Sequence, residues 1–232
     1  ADGTPNISAT VSSSSPLYGE PIQITVDAAN PGGQPYGYNL SYRVVIPKGT
    51  AYAGGSLVPP TVIANQPAAE ETTLIFSNVA DLSPNSHRSF SFDLSYNQTI
   101  WHAGDVVPVR AQAFINTDPR YVPKFSPTGQ PEGPSATSYT GFTPEVLGSQ
   151  KLKAIKVTAE EPSPEGEIVR GVHEDQTVYT LKVQNNGINP TSGTKLDAFV
   201  PAGLEYLGCG APGGTGTDNT TGTDETNGAD VT

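Results

Sequence analysis

Two groups of acidic residues in this 232-residue chain are its best candidates for metal ligands. One group lies in the Gly- and Thr-rich C-terminal tail: Asp218, Asp224, Glu225 and Asp230. The other lies further upstream: Glu160, Glu161, Glu165 and Glu167. Carboxylate oxygens are the ligands that Ca²⁺ prefers. Because neither group has the spacing of a calcium-binding loop, we expect a solvated acidic tail. Calcium, with the four tail acids as its candidate ligands, is the one cofactor considered.

Nucleophilic catalysis would need a serine, a histidine and an acid brought together in space. The histidines are His87, His102 and His173, and their surroundings are typical of turns and linkers. His102 precedes Asp105 by three residues, which indicates proximity and no more. We therefore predict no catalytic residues and a protein that is not an enzyme.

Aromatic residues suggest a third kind of site. Trp101 and the ten tyrosines are the side chains that would form a platform for a sugar ring. Residues of this kind more often pack in the core or over the end of a sandwich. A carbohydrate-binding accessory domain is accordingly the third hypothesis for function.

The elements that must position these side chains are strands. Apolar and polar residues alternate in 20–29, 39–46, 89–96 and 105–115, as expected for strands with one buried face. No stretch of ten or more residues has helical periodicity, and turn-rich segments separate the strands. The sequence therefore predicts an all-β fold of two antiparallel sheets packed as a sandwich, with an up-and-down barrel as the alternative. Pro108 within the fourth stretch predicts an edge strand or a bulge.

Composition disfavours several classes of partner. The net charge is −11, with eleven acidic against six basic residues in 1–147 and twelve against six in 148–232. Phosphate binding depends on clustered Lys and Arg, so we expect neither nucleic acid nor an anionic membrane surface as a partner. No apolar run reaches the roughly 18 residues of a membrane span. The single Cys209 permits no disulfide within the chain.

One eight-residue pattern occurs twice and sets the domain organisation. Pro47, Gly49, Tyr52 and Gly54 recur as Pro201, Gly203, Tyr206 and Gly208. We interpret the pattern as a corner, in which Pro ends strand pairing, Gly permits a positive φ and Tyr begins the next strand. The spacing predicts two tandem domains: a complete sandwich over 1–147, a partial second sandwich over 148–210, and a loop or disordered tail over 211–232 that cannot complete a sheet. The missing strands would belong to a longer parent array or to another chain.

The segments that contain this pattern resemble a known family. Residues 179–210 (YTLKVQNNGINPTSGTKLDAFVPAGLEYLGCG) are similar to the domain-of-unknown-function-eleven family, found in tandem in bacterial and archaeal surface proteins. Residues 26–56 match it more loosely, with Thr50 where Leu is usual, and residues 115–130 are similar to long actinobacterial cell-wall proteins. The resemblance implies an immunoglobulin-like module of a cell-surface stalk or adhesin.

The same resemblance implies one chemical feature. Surface proteins of this class carry isopeptide cross-links between a Lys on the first strand and an amide on the last strand, with an acid nearby. In the second domain Lys153 and Lys156 are the candidates for the first strand, and Asp197 is the candidate acid on a central strand. The last strand is absent from residues 148–232 by this interpretation, so we expect no complete bond.

The sequence thus predicts a non-catalytic structural or adhesive module of a repetitive bacterial surface protein, located extracellularly on the cell wall or cell surface. Its expected partners are neighbouring repeats, other subunits, or a ligand on a host or another cell, without membrane insertion by this chain. The alternative is a self-assembling filament or surface-layer subunit whose incomplete domain accepts a strand from its neighbour.

Overall fold

The computed structural model describes residues 6–13, 16–160, 180–187, 196–200, 220–221 and 229–231. All regular structure in this part of the chain is β-strand, which confirms the all-β prediction. The strands are β1 (Ser8–Ser13), β2 (Ile22–Asn30), β3 (Gly37–Ile46), β4 (Thr50–Tyr52), β5 (Thr61–Ala64), β6 (Thr72–Leu82), β7 (Ser86–Tyr96), β8 (Val106–Asn116), β9 (Gly141–Phe142), β10 (Val146–Lys151), β11 (Ile155–Glu160), β12 (Thr180–Asn185), β13 (Ala198–Val200), β14 (Thr220–Thr221) and β15 (Ala229–Val231).

Strands β1 to β10 form an antiparallel sandwich. One sheet has the order β1-β2-β7-β4, and the other has the order β10-β8-β3-β6-β5 with β9 also paired to β8. Apart from β5, β6 and β9, this is the order of the constant-type immunoglobulin sandwich, in which strands A, B, E and D face strands G, F and C. The hairpin of β5 and β6 is inserted after the fourth strand and extends the second sheet. The predicted immunoglobulin-like sandwich is therefore confirmed for this part of the chain.

The inner faces of the two sheets share one apolar core. On the predicted apolar faces of the four stretches, Tyr96 is partly buried and packs against the core, and the other sixteen residues lie in it: Ile22, Ile24, Val26, Ala28, Leu40, Tyr42, Val44, Ile46, Phe90, Phe92, Leu94, Val107, Val109, Ala111, Ala113 and Ile115. Each fully buried large apolar side chain contributes about 1.5–3 kcal/mol relative to an exposed one. This core holds the two sheets together.

Strand β3 differs from the prediction because it is buried on both faces. Ser41, Arg43 and Val45 point away from the core and are buried as well. The reason is that residues 117–140 cross the outer face of this sheet, where Arg43 Nε donates a hydrogen bond to the Gly129 carbonyl at 2.7 Å. The alternation of apolar and polar residues predicted that the inner face of β3 is buried, but it did not predict that another segment covers the outer face.

Aromatic and amide contacts fix this crossing segment to the sheet. The ring of Phe114, on the outer face of β8, lies 5.2 Å from the ring of Tyr139 in an edge-to-face arrangement. At the other end of the segment, Asn39 Nδ2 donates to the carbonyls of Pro119 and Tyr121 at 3.0 and 2.8 Å. A long connection that would otherwise be a mobile loop is thus packed as a second layer.

The corner predicted from the first repeat is present. Strand β3 ends at Ile46, Gly49 has φ +73°, and Thr50 donates its backbone N–H to the Pro47 carbonyl at 3.2 Å. The corner carries the chain from one sheet to the other, since β4 pairs with β7. Tyr52 packs against the core but ends β4, which begins at Thr50, so the prediction that the tyrosine begins the strand is wrong. The second corner, residues 201–208, lies outside the described residues.

The proline in β8 does not mark an edge strand. β8 lies between β3 and β10 in its sheet. Its pairing with β3 ends at Arg110, however, so that Pro108 faces only Ser149 of β10. The missing N–H is therefore tolerated on the side where no strand lies opposite.

The first sandwich continues beyond the predicted boundary after residue 147. That boundary falls inside β10, which pairs with β8 along its whole length, and Leu152 is fully buried in the core. The chain divides into two compact units, one comprising 1–155 with 186–188 and the other comprising 156–185 with 189–232.

The second unit contains two small sheets, β11-β12 and β13-β15-β14. Two segments of the predicted tail take part in the latter: β15 pairs antiparallel with both β13 and β14. The prediction of a loop or disordered tail over 211–232 did not include strands at Thr220–Thr221 and Ala229–Val231. Backbone pairing does not require apolar side chains, which is why composition gave no indication of it.

Candidate functional site

The two sides of the first sandwich, where the edges of its sheets lie, differ in how they are closed. On one side β1 and β10 meet, and a Cβ added to Gly148 would lie 2.3 Å from Val11 Cγ1. No side chain other than hydrogen fits there without a shift of Val11. We call this side the seam, defined by β1, β10 and the residues 16–18 and 152–154 that follow them.

Backbone bonds complete the seam beyond the two strands. Leu17 and Lys153 form a parallel bridge, in which Tyr18 N–H donates to the Lys153 carbonyl and Lys153 N–H donates to the Pro16 carbonyl, both at 2.9 Å. Leu17 is 9% exposed and Leu152 is fully buried. The apolar side chains thus shield the bonds from water, which strengthens them.

Asn186 bonds to both halves of the seam. Its backbone N–H donates to the Ala154 carbonyl at 2.7 Å, and its Nδ2 donates to the Tyr18 carbonyl at 3.0 Å. Tyr18 also lies beside Tyr96, with ring centroids 6.0 Å apart. Burial raises the pKa of Tyr96, whose hydroxyl accepts a hydrogen bond from Gly19 N–H at 2.6 Å.

The opposite side, which we call the open side, consists of β4, β5 and the connecting residues 53–60. Among the described residues, β5 pairs only with β6 and carries no charge. Val62 of β5 is 56% exposed and Leu57 is 76% exposed. An uncharged strand at a sheet edge offers its free backbone groups to another strand. The sequence gave no signal for this edge, because β5 is short and lies in a proline-rich stretch.

A shallow groove lies beside β5. Its volume is about 160 Å³, and it is lined by Thr61, Ile63, Ile75, Ser77, Pro123, Phe125 and Ser126. Small-molecule sites usually enclose about 300–1,000 Å³ and combine apolar walls with a few converging polar groups. The groove has neither this size nor any charged group.

One cluster brings a serine, an acid and a histidine together on the outer face of the first sheet. Asp27 accepts hydrogen bonds from Ser89 Oγ at 2.5 Å and lies 3.0 Å from His87 Nδ1. Burial raises the pKa of Asp27, but the bonds from Ser89 and His87 and the charge of His87 outweigh it and lower the pKa overall. The acid lies between the other two, so His87 is not placed to take a proton from Ser89 as a triad requires.

The structure shows where the histidine candidates His87 and His102 and the aromatic candidate Trp101 lie, and it corrects the prediction for His87. His87 lies on β7 rather than in a turn, paired with Ala29. His102 does lie in a loop, with its Nδ1 3.6 Å from Asp105 Oδ2, whereas His173 lies outside the described residues. Trp101 packs against the core and donates its Nε1–H to the Lys48 carbonyl at 2.9 Å. This contact fits the packing role rather than a sugar platform.

A buried arginine forms the centre of a charge network under the crossing segment. Arg43 Nη1 lies 3.8 Å from Glu145, and Arg110 bonds to Glu145 at 3.4 Å and to Glu71 at 2.8 Å. Burial lowers the pKa of Arg43, and the charge of Glu145 opposes this. Every charge in the network has a partner of opposite sign, and Glu145 links Arg43 of β3 to Arg110 of β8.

The structure describes the backbone positions of the three cross-link candidates. Lys153 lies before β11 instead of on it and is part of the seam, while Lys156 lies on β11. Asp197 lies just before β13 and is exposed. In the first sandwich the lysine side chains are exposed at all four described positions: Lys48, Lys124, Lys151 and Lys153. Burial is what favours the neutral amine that such a bond needs.

The calcium candidates lie largely beyond the described residues. Asp218, Asp224 and Glu225 are outside them, whereas Asp230 lies on β15 opposite Phe199 and Thr221. Among the described residues no group of three or more His, Cys, Asp or Glu side chains is placed to hold a metal ion. No helix long and apolar enough to cross a membrane occurs in that part of the chain.

Comparison with known proteins gives distant matches. A scan against protein-family models finds no match, and neither does a comparison with curated sequences. The chain is similar to the solved structure of AvmM, which catalyses macrocyclization in alchivemycin A biosynthesis: 15% identity, TM-score 0.37, 68% of this chain and 92% of AvmM. It is also similar to the Actinomyces fimbrial adhesin FimA: 16% identity, TM-score 0.27, 66% of this chain and 58% of the adhesin. At this level of similarity neither protein assigns a function to this chain.

Proposed function

We propose that this chain is a non-catalytic structural or adhesive module, a stalk or adhesin repeat of a bacterial cell-surface protein. The observation that carries the proposal is the path of the chain through the first sandwich. Strand registers place Ser8 opposite Ala29, next to the turn that leads from β2 to β3, and place Lys151 opposite Val106, where β8 begins. Since β3 starts where β8 ends, the chain enters at one end of the sandwich and leaves at the other.

This path suits a repeat in an extended array. The 11 residues of β8 span about 35 Å along the sandwich, so each module of this kind would add its own length to a stalk. Neighbouring repeats would then be its first partners, and the acidic surface would keep the array soluble outside the cell. In the described part of the first sandwich, the crossing segment and the first corner are packed against the sheets, which would limit the access of proteases at a cell surface.

Labelling of intact cells tests the location. Antibodies raised against the purified chain are applied to intact cells of the producing organism, before and after protease shaving, with an antibody to a cytoplasmic protein as control. We expect labelling of intact cells that shaving removes. Labelling only after lysis, as with the cytoplasmic control, would overturn the proposal.

The open side favours a second function, a self-assembling subunit that accepts a strand from a neighbour. The uncharged edge of β5 and the exposed Leu57 and Val62 support it. Electron microscopy of the purified chain over a concentration series separates the two functions. Fibres that grow with concentration support assembly, and a monomer at every concentration supports the stalk module.

A further inference from the structure

We propose that the seam is a tension-bearing clamp, which resists extension when the first sandwich is pulled through its two chain ends. The inference rests on the proposed function in one respect: a stalk on the cell surface would supply the tension that the clamp resists. Its basis is the parallel pairing of residues 16–18 with residues 152–154.

The direction of the two chain segments decides how force reaches this pairing. Tension on the segment before Ile7 pulls β1 towards the end where the chain enters. Tension on the segment after Ile155 pulls β10 towards the opposite end. Because the paired segments run parallel, these two pulls slide them past each other along the strand axis. The bonds across the seam are then loaded together in shear, instead of one after another as in peeling.

Two features make this pairing hard to slide. The bonds of Tyr18 and Lys153 are flanked by the buried side chains of Leu17 and Leu152, so water cannot readily replace a bond as it breaks. Sliding by one residue would also move Val11 off Gly148 and towards Leu147 or Ser149, which carry side chains where Gly148 has none. Backbone bonding and side-chain packing therefore oppose the same displacement.

The end of the seam is secured further. Leu152 N–H donates to the Asp105 carbonyl at 3.0 Å, and Gly104 N–H donates to the Leu152 carbonyl at 2.8 Å. Asn186 adds bonds to Ala154 and Tyr18. Residues 152–154 thus have partners on both sides, whereas β4 and β5 of the open side lie outside the direct path between residues 7 and 155.

Optical tweezers on the full chain test the clamp by changing the pulling direction. Handles are attached to cysteines introduced by Asn6→Cys and Thr158→Cys in a Cys209→Ser background, and both attachment positions are exposed. A second pair, Asn6→Cys and Gly32→Cys, pulls β1 away from the turn at its own end, and a Cβ at Gly32 meets nothing within 4 Å. We expect clearly higher unfolding forces for the first pair. Equal forces for the two pairs would overturn the proposal without any destabilising substitution.

A matched pair of proline variants tests the residues. Lys153→Pro removes the N–H that bonds to Pro16, and Ala53→Pro removes the N–H that bonds to Asp93 on the open side. Both side chains are exposed, and each substitution removes one backbone hydrogen bond. With the first handle pair at constant force, we expect Lys153→Pro to unfold about fivefold faster than wild type and Ala53→Pro less than about twofold faster. An equal acceleration in both would show a general loss of stability and contradict the clamp.

The outcomes distinguish the clamp from the proposed function. An unfolding force that depends strongly on pulling direction, together with labelling only after lysis, would support the clamp and contradict the stalk function. Surface labelling together with equal unfolding forces would leave the stalk and remove the clamp.

Discussion

The seam and the open side of the first sandwich end the same two sheets in opposite ways. At the seam, β1 and β10 approach so closely that Gly148 has no room for a Cβ, and backbone bonds join the segments that follow. At the open side, β4 and β5 end their sheets without pairing with each other, and apolar side chains remain exposed. The difference shows that closing a sandwich requires small residues at the contact and a shared backbone path, while an unclosed side keeps a strand available to partners.

The largest expected effect comes from truncating a leucine on each side. Leu152→Ala at the seam removes a fully buried side chain and should lower the free energy of unfolding by about 3 kcal/mol. Leu57→Ala at the open side removes a side chain that is 76% exposed and should change it by less than about 0.5 kcal/mol. Urea denaturation measures both. Similar losses in the two variants would break the comparison.

A smaller effect is expected from filling the close contact. Gly148→Ala should cost about 2 kcal/mol, because its Cβ would overlap Val11. The control is Gly32→Ala, where nothing lies within 4 Å of the added Cβ and little change is expected. Combining Gly148→Ala with Val11→Ala should recover part of the loss if the overlap is its cause. Additive losses in the double variant would locate the cause elsewhere.

Adding a charge to the open edge should affect association more than stability. Val62→Lys places a cation on β5 and should change the free energy of unfolding by less than about 0.5 kcal/mol while reducing any concentration-dependent association. Gln23→Lys adds the same charge to the interior strand β2 and serves as the control. Sedimentation velocity at several concentrations measures the effect. If both variants reduce association equally, net charge rather than the edge is responsible.

The last expected effect concerns acid, and it should arise away from both sides. The pKa of Asp27 is lowered in the folded state, so its contribution to stability is present above the unfolded pKa of about 4 and is lost as pH falls through the folded value. Asp27→Asn should cost less than about 1 kcal/mol at pH 7. The difference from wild type should shrink below about pH 4. Asp93→Asn, on the same face of the sheet, controls for the loss of a carboxylate; urea denaturation across pH measures all three proteins.

Local patterns predicted the core better than its surroundings. Alternation in residues 22–28 and 90–94 identified the inward residues, because a half-buried strand has a period of two. The burial of Arg43 could not be predicted in this way, since it depends on a crossing segment more than 70 residues away in sequence. Neither could the Asp27–His87 contact, which depends on the register between β2 and β7. Both features require tertiary contacts that one strand does not encode.

The seam itself had only a weak trace in the sequence. In the sequence Gly148 stands between Leu147 and Ser149, and nothing there indicated that it would contact Val11. The predicted domain boundary after residue 147 falls within β10, the strand that meets β1 at the seam. The first corner, in contrast, was predicted with its glycine turn, because Pro47 and Gly49 restrict the backbone locally.

The chain contains a single tryptophan, and its indole is fixed between the core and the Lys48 carbonyl. Its fluorescence is therefore a built-in optical signal for the corner and loops at that end of the first sandwich. A change in emission during denaturation would follow this unit alone, with no added dye and no contribution from a second indole.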